Sequence, residues 1–181
     1  GEIKFLDGKS LPVTDVQKPY DGGIVAYVEG THPELKEGTI VEATASDEAR
    51  RLTRSNHTAT HLLHSALREI LGTHVQQAGS LVGPDRLRFD FSHSKGLTPD
   101  EIEKIETWVN RAIEAGQSLE IVECGIDEAK AKGAMALFGE KYGDKVRTVS
   151  VPGFSLELCG GLHVKNTAEI RVFKLLSESA V

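Results

Sequence analysis

The 181-residue chain has only two cysteines, Cys124 and Cys159, and it lacks a long apolar run, a basic-then-apolar leader, an internal repeat and a low-complexity tract. Two cysteines are a poor disulfide framework, so a reducing, cytoplasmic setting is expected. Without a run near membrane-spanning length no transmembrane helix is expected, and no basic-then-apolar leader opens the chain. There is also no basic excess: the net charge is −6. That excludes a general nucleic-acid coat, which needs a positive surface. The acidity is local. Residues 1–49 hold four Lys/Arg against ten Asp/Glu, whereas residues 50–181 hold seventeen of each. Basic clusters in the second part, Arg50, Arg51 and Arg54 or Lys141, Lys145 and Arg147, leave an approach by nucleic acid open.

Short apolar runs punctuated by turns fill the first 45 residues: Glu2–Phe5, Leu11–Lys18, Ile24–Glu29 and Thr39–Thr44, with Asp7-Gly8 and Asp21-Gly22-Gly23 between them. Asp-Gly between such runs signals a hairpin. A small β-barrel or half-barrel is expected over residues 1–45, with little core of its own. A second domain is expected over 46–181. Ser46-Asp47-Glu48 is a helix start, and Leu52, Ala59, Leu63, Ala66, Leu67 and Ile70 recur at helical spacing up to a stop at Gly72. Two alternating strands, Thr73–Val82 and Leu87–Ser92, precede a helix that begins at Thr98-Pro99-Asp100 and runs to about Ala115. Then come a strand at Ser118–Cys124, a short helix at Asp127–Lys132, a hairpin of Val146–Val151 with Phe154–Leu158, and a last strand at Ile170–Leu176. Helices and strands without a regular βαβ rhythm indicate the α+β class.

The chemistry concentrates in two short patterns. His57 and His61 stand four residues apart, hence on one helix face. Cys159-Gly-Gly-Leu-His163 supplies a thiol and a third imidazole, with glycines that allow a tight turn between them. Three imidazoles and one thiolate form the donor set that tetrahedral zinc (Zn2+) takes. A metallopeptidase is disfavoured. Its motif places a glutamate after the first histidine, where this chain has Thr58. Four protein ligands also fill a tetrahedral ion, so the zinc is either structural or widens its coordination to admit a substrate group or water. His64 reads as a neighbour of the ligand set or a core residue, Gln76 and His93 as exposed positions, and Cys124 as a buried apolar side chain.

Several stretches resemble the editing domain of bacterial alanyl-tRNA synthetase: Asn56-His-Thr-Ala-Thr-His-Leu-Leu-His64, Gly72-Thr-His-Val-Gln-Gln77 with Gly79-Ser80, Leu87-Arg-Phe-Asp-Phe-Ser-His93, Ala129–Tyr142 and Glu157-Leu-Cys-Gly-Gly161. The resemblance runs from about residue 46 to the end, and residues 1–45 are similar to the small β-barrel that precedes that domain. Free-standing alanyl-tRNA editing proteins and the threonyl-tRNA synthetase editing domain share the His-x-x-x-His and Cys-x-x-x-His patterns. The resemblance implies an excised fragment, cut at both ends, that hydrolyses the ester joining serine or glycine to alanine tRNA. Its partners would be the acceptor end of that tRNA and the remaining domains of the parent enzyme. Thr60, Gln77 and Ser80 would line the amino-acid pocket. Such a second site answers a physical need, because a pocket shaped for alanine rejects an added hydroxyl poorly. A free-standing editing protein and a non-catalytic, zinc-stabilised module that binds tRNA or a partner are the alternatives. The chain departs from the family at Leu162, where threonine is usual, and at Ala168 and Arg171, where glycine is commoner.

Overall fold

The structure, a computed structural model, describes residues 1–20, 22–135 and 143–180. Of the Ala129–Tyr142 stretch, residues 136–142 lie outside the described residues, and so does Lys141. Two compact units divide the chain, Gly1–Arg50 and Arg51–Val181.

In the first unit, β1 (Glu2–Phe5), β2 (Ser10–Gln17), β3 (Val25–Val28) and β4 (Val41–Thr44) form one antiparallel sheet in the order β3-β2-β1-β4. Asp7-Gly8 makes the β1–β2 turn, with Gly8 at φ +89°, and the Gly8 amide donates to the Phe5 carbonyl. A register shift between Val13 and Asp15 bends β2. Closure into a barrel would need a β3–β4 ladder, and among the described residues none is present. Among the described residues the sheet is therefore open rather than closed. Its core is slight. Leu11 is buried, whereas Leu6, Tyr20, Ile24 and Ile40 are exposed.

The second unit is built on α1 (Asp47–Leu71), whose first turn falls in the first unit. Ser46 caps it by accepting from the Ala49 amide, Asp47 and Glu48 face the positive end of its dipole, and Gly72 ends it at φ +121°. One stripe of α1 (Ala59, Leu62, Leu63, Ala66 and Leu67) packs on Ile105, Val109, Ala112 and Ile113 of α2 (Pro99–Glu114). Full burial of leucines such as Leu62 and Leu67 stabilises this pair by roughly 1.5–3 kcal/mol each. A Thr98–Glu101 capping box opens α2, with Pro99 in its first turn.

The hairpin β5 (Gln77–Val82) and β6 (Leu87–Phe91) carries a register shift between Gln77 and Gly79. A second antiparallel sheet joins β7 (Glu120–Gly125), β8 (Lys145–Val151) and β9 (Ser155–Leu158) in that order, and α3 (Ile126–Ala131) packs Ala129 against Val146 and Leu158. Cys124 is half-buried against the same cluster, as an apolar side chain would be. Helices and antiparallel sheets interspersed in this way make the second unit α+β.

Two expectations fail. Thr73–Gln76 is not strand, and β5 begins only at Gln77. The last strand, expected at Ile170–Leu176, does not form. A 3-10 helix (Thr167–Ile170) stands at its start, and Arg171 then adopts φ +74°, which breaks an extended run. Side chains of α2 take the place of a ladder: Asn110 donates to the Phe173 carbonyl and accepts from its amide, while Glu106 accepts from the Leu175 amide. Among the described residues no helix is long and apolar enough to cross a membrane.

Candidate metal centre

The fold brings the two histidine-bearing patterns together. One ligand atom from each of His57, His61, Cys159 and His163 lies within 4.8 Å of the others. Helical spacing places His57 and His61 on one face of α1. Cys159 leaves the end of β9, and the loop to His163 folds back over α1. Arg147 on β8 pins that loop, donating to the Cys159 carbonyl at 2.7 Å and to the Gly161 carbonyl at 2.9 Å. Arg147 is thus turned inward and is not a free surface cation for nucleic acid. A Cβ on Gly161 would overlap the His57 ring and lie 2.7 Å from its Nδ1. The loop approaches α1 this closely only because position 161 has no side chain.

The atoms turned toward the centre can be assigned. His57 Nε2 and His163 Nε2 lie 3.5 and 3.3 Å from Cys159 Sγ. Their other nitrogens are held from outside: His57 Nδ1 donates to the Leu162 carbonyl at 3.1 Å, and His163 Nδ1 lies 3.1 Å from the Thr58 hydroxyl. Thr58, fully buried, also accepts from the Val164 amide and so locks loop to helix. The residue that replaces a peptidase glutamate is a strut for a ligand. Leu162 acts through its carbonyl, which any residue would provide, and its side chain is 42% exposed.

Electrostatics keep the imidazoles neutral. Burial is the main force lowering the basicity of His57 and, much more strongly, of His61. Burial, the neighbouring His57 and then Arg147 bring His163 down to about 3. A neutral imidazole is the form that binds a metal ion. The donor set, the buried and unpartnered His61 Nδ1 and the close cradle at Gly161 all fit a metal ion, so the cluster could hold one.

The three expected pocket residues are placed differently from one another. Thr60 is buried on α1 and donates to the Asn56 carbonyl at 2.9 Å. Gln77 and the exposed Ser80 lie on β5, with 3.4 Å between the Gln77 amide and the Ser80 hydroxyl. Asn56 Nδ2 donates to the Gly83 carbonyl at 2.7 Å, which ties the β5–β6 turn to the helix that carries the histidines. Among the described residues no hydrogen bond joins Gln77 or Ser80 to the three ligand histidines. Gln76 is exposed as expected, whereas His93 is half-buried and stacks on His74.

The role of one participant is not legible in the sequence. Glu157 on β9, 3% exposed, places Oε1 3.1 Å from His64 Nδ1 and Oε2 3.6 Å from His61 Nε2. Burial raises its pKa, opposed by His64 and the charge of Arg68. Its signals in the sequence are an acid within an apolar strand, two residues before a ligand, and its place at the head of the Glu157–Gly161 pattern.

Residues 146–181, which include Glu157 and the whole Cys159–His163 loop, match the family described as the second additional domain of threonyl and alanyl tRNA synthetases. The chain is 54% identical, over all 181 of its residues, to 21% of the alanine–tRNA ligase of Pseudothermotoga lettingae. It is 55% identical over 174 residues, 93% of its length and 19% of the relative's, to the alanine–tRNA ligase of Staphylococcus epidermidis. A probable chloroplastic/mitochondrial alanine–tRNA ligase of Ostreococcus tauri is 51% identical over 185 aligned residues, covering 100% of this chain and 19% of the relative. The chain spans about a fifth of the length of these relatives. Over its whole length the chain is therefore similar to one stretch of the alanine–tRNA ligases, and its residues 146–181 to the second additional domain of threonyl and alanyl tRNA synthetases.

Proposed function

We propose that the chain is a hydrolytic proofreading module, part of an alanine–tRNA ligase of the cytoplasm, that deacylates alanine tRNA mischarged with serine or glycine. The observation that carries this reading is the gathering of His57, His61, Cys159 and His163 in a chain so similar to alanine–tRNA ligases. Residues 1–45 would be the small barrel-like subdomain of the parent and residues 46–181 the editing domain. The acceptor end of the tRNA and the parent's other domains would be the partners.

Zinc fits three neutral imidazoles and one thiolate best, and when bound it would supply positive charge for anchoring or polarising a substrate group. The chain's own residues then do the positioning. The Thr60 hydroxyl donates to the Asn56 carbonyl and offers a lone pair, so it can accept from a serine hydroxyl or an ammonium group. Gln77 and Ser80 offer a carboxamide and a hydroxyl from the adjoining hairpin. Alanine would leave these polar groups unpaired, which disfavours it relative to serine. An aminoacyl ester is labile, so orientation supplies much of the rate.

The deciding experiment is deacylation of seryl- and alanyl-tRNA side by side. The expected result is rapid release of serine, slow release of alanine, and loss of serine release with zinc content in Cys159→Ala. Folding that collapses under chelation, without deacylation at any enzyme concentration, would instead establish a non-catalytic binding module.

A further inference from the structure

We propose that Glu157 is a positioning residue of the metal centre: its buried side chain selects the ligating nitrogen of His61. The inference rests on the metal-binding reading above and extends it to a residue outside the ligand set.

The geometry of the three ligand imidazoles carries it. His61 Nδ1 is buried without a hydrogen-bond partner, whereas Nε2 faces Glu157 Oε2 at 3.6 Å. A neutral imidazole has one N–H, which the nearest acceptor claims. With that proton on Nε2, toward the carboxylate, the bare lone pair is on Nδ1. His57 and His163 use the opposite arrangement, with Nε2 toward Cys159 and Nδ1 held by the Leu162 carbonyl and Thr58. The 3.6 Å separation exceeds hydrogen-bond length, and a small rotation of the ring toward the ion would close it.

Glu157 is nearly inaccessible, and the groups in contact with it are the imidazoles of His61 and His64. The other oxygen of Glu157 fixes His64, whose ring lies 5.3 Å from Phe89 on β6. Glu157 thereby spans from β9 to α1, and His64 continues the contact to the hairpin that carries Gln77 and Ser80.

The test uses the full chain with zinc as the probe. Long-range proton–nitrogen correlation spectra of the zinc-loaded protein should show His61 protonated at Nε2, and His57 and His163 protonated at Nδ1. Chelator competition should show Glu157→Gln weakening zinc binding by about 10- to 100-fold while far-UV circular dichroism is retained. His61 protonated at Nδ1, or a folded Glu157→Gln that binds zinc like the unaltered chain, would overturn the proposal and leave the metal reading standing. If Glu157→Gln does not fold, the tautomer in the unaltered chain decides. Failure of the unaltered chain to bind zinc would end the metal reading, and this proposal with it.

Discussion

Gly161 shows how narrowly the centre is built. Its missing side chain is the space that the His57 ring occupies, and the next carbonyl in the loop orients that ring. Gly161→Ala should push the imidazole off its Leu162 acceptor and weaken zinc binding at least about tenfold, the scale seen when an outer contact of a ligand is lost. Gly160 is the internal control. A Cβ there meets nothing within 4 Å, and its φ is not in the left-handed region, so Gly160→Ala should bind zinc unchanged. Equal affinities for the two variants in chelator competition would contradict the close packing of loop on helix. Leu162 enters this contact through its carbonyl alone, so its side chain does not bear on how the His57 ring is held.

Among the elements, the segment after the 3-10 helix holds the clearest strain. Arg171 sits at φ +74° and ψ −65°, the one described non-glycine residue with positive φ, and the Val172 amide donates to the Ile170 carbonyl around it. That is a γ-turn of the rare, strained hand. A side chain held there costs about 1–3 kcal/mol, whereas glycine adopts the conformation freely at an unfolded-state cost of about 0.4–1 kcal/mol. Arg171→Gly should therefore stabilise the protein by about 1 kcal/mol, read as a higher urea midpoint with an unchanged slope. The resemblance had marked this position as one where glycine is commoner, and the backbone supplies the reason. The strand expected at 170–176 fails because the local sequence describes only the segment itself. Its hydrogen bonds go to Asn110 and Glu106, more than sixty residues away.

For the molecule as a whole, the buried histidines set the response to acid. His57, His61 and His163 are all less basic in the folded chain than when unfolded, and His163 falls to about 3. Below pH about 6.5 the unfolded chain takes up protons that the folded chain refuses, so stability rises with pH in that window and is lost as pH falls. His163 alone contributes a slope of up to about 1.4 kcal/mol per pH unit between its two values. Glu157, with its raised pKa, acts in the opposite sense, but it is one group against three. The urea midpoint of the metal-free protein should change little above pH about 6.5 and fall from there to pH 5, and a flat profile would contradict burial of neutral imidazoles.

The sequence by itself determined the elements and the donor types. Caps, helical periodicity and turn residues act over a few positions, so α1, α2 and the hairpins were legible to within a few residues. The His-x-x-x-His and Cys-x-x-x-His spacings were legible for the same reason. Only the tertiary structure decided that two patterns about a hundred residues apart converge within 4.8 Å. It also decided that Thr58 and Glu157 stand behind the ligands, that the first sheet is open, and that residues 170–176 are held by side chains rather than by a ladder. Those outcomes depend on long-range packing and on burial, which change what a carboxylate or an imidazole can do and leave no periodic trace along the chain.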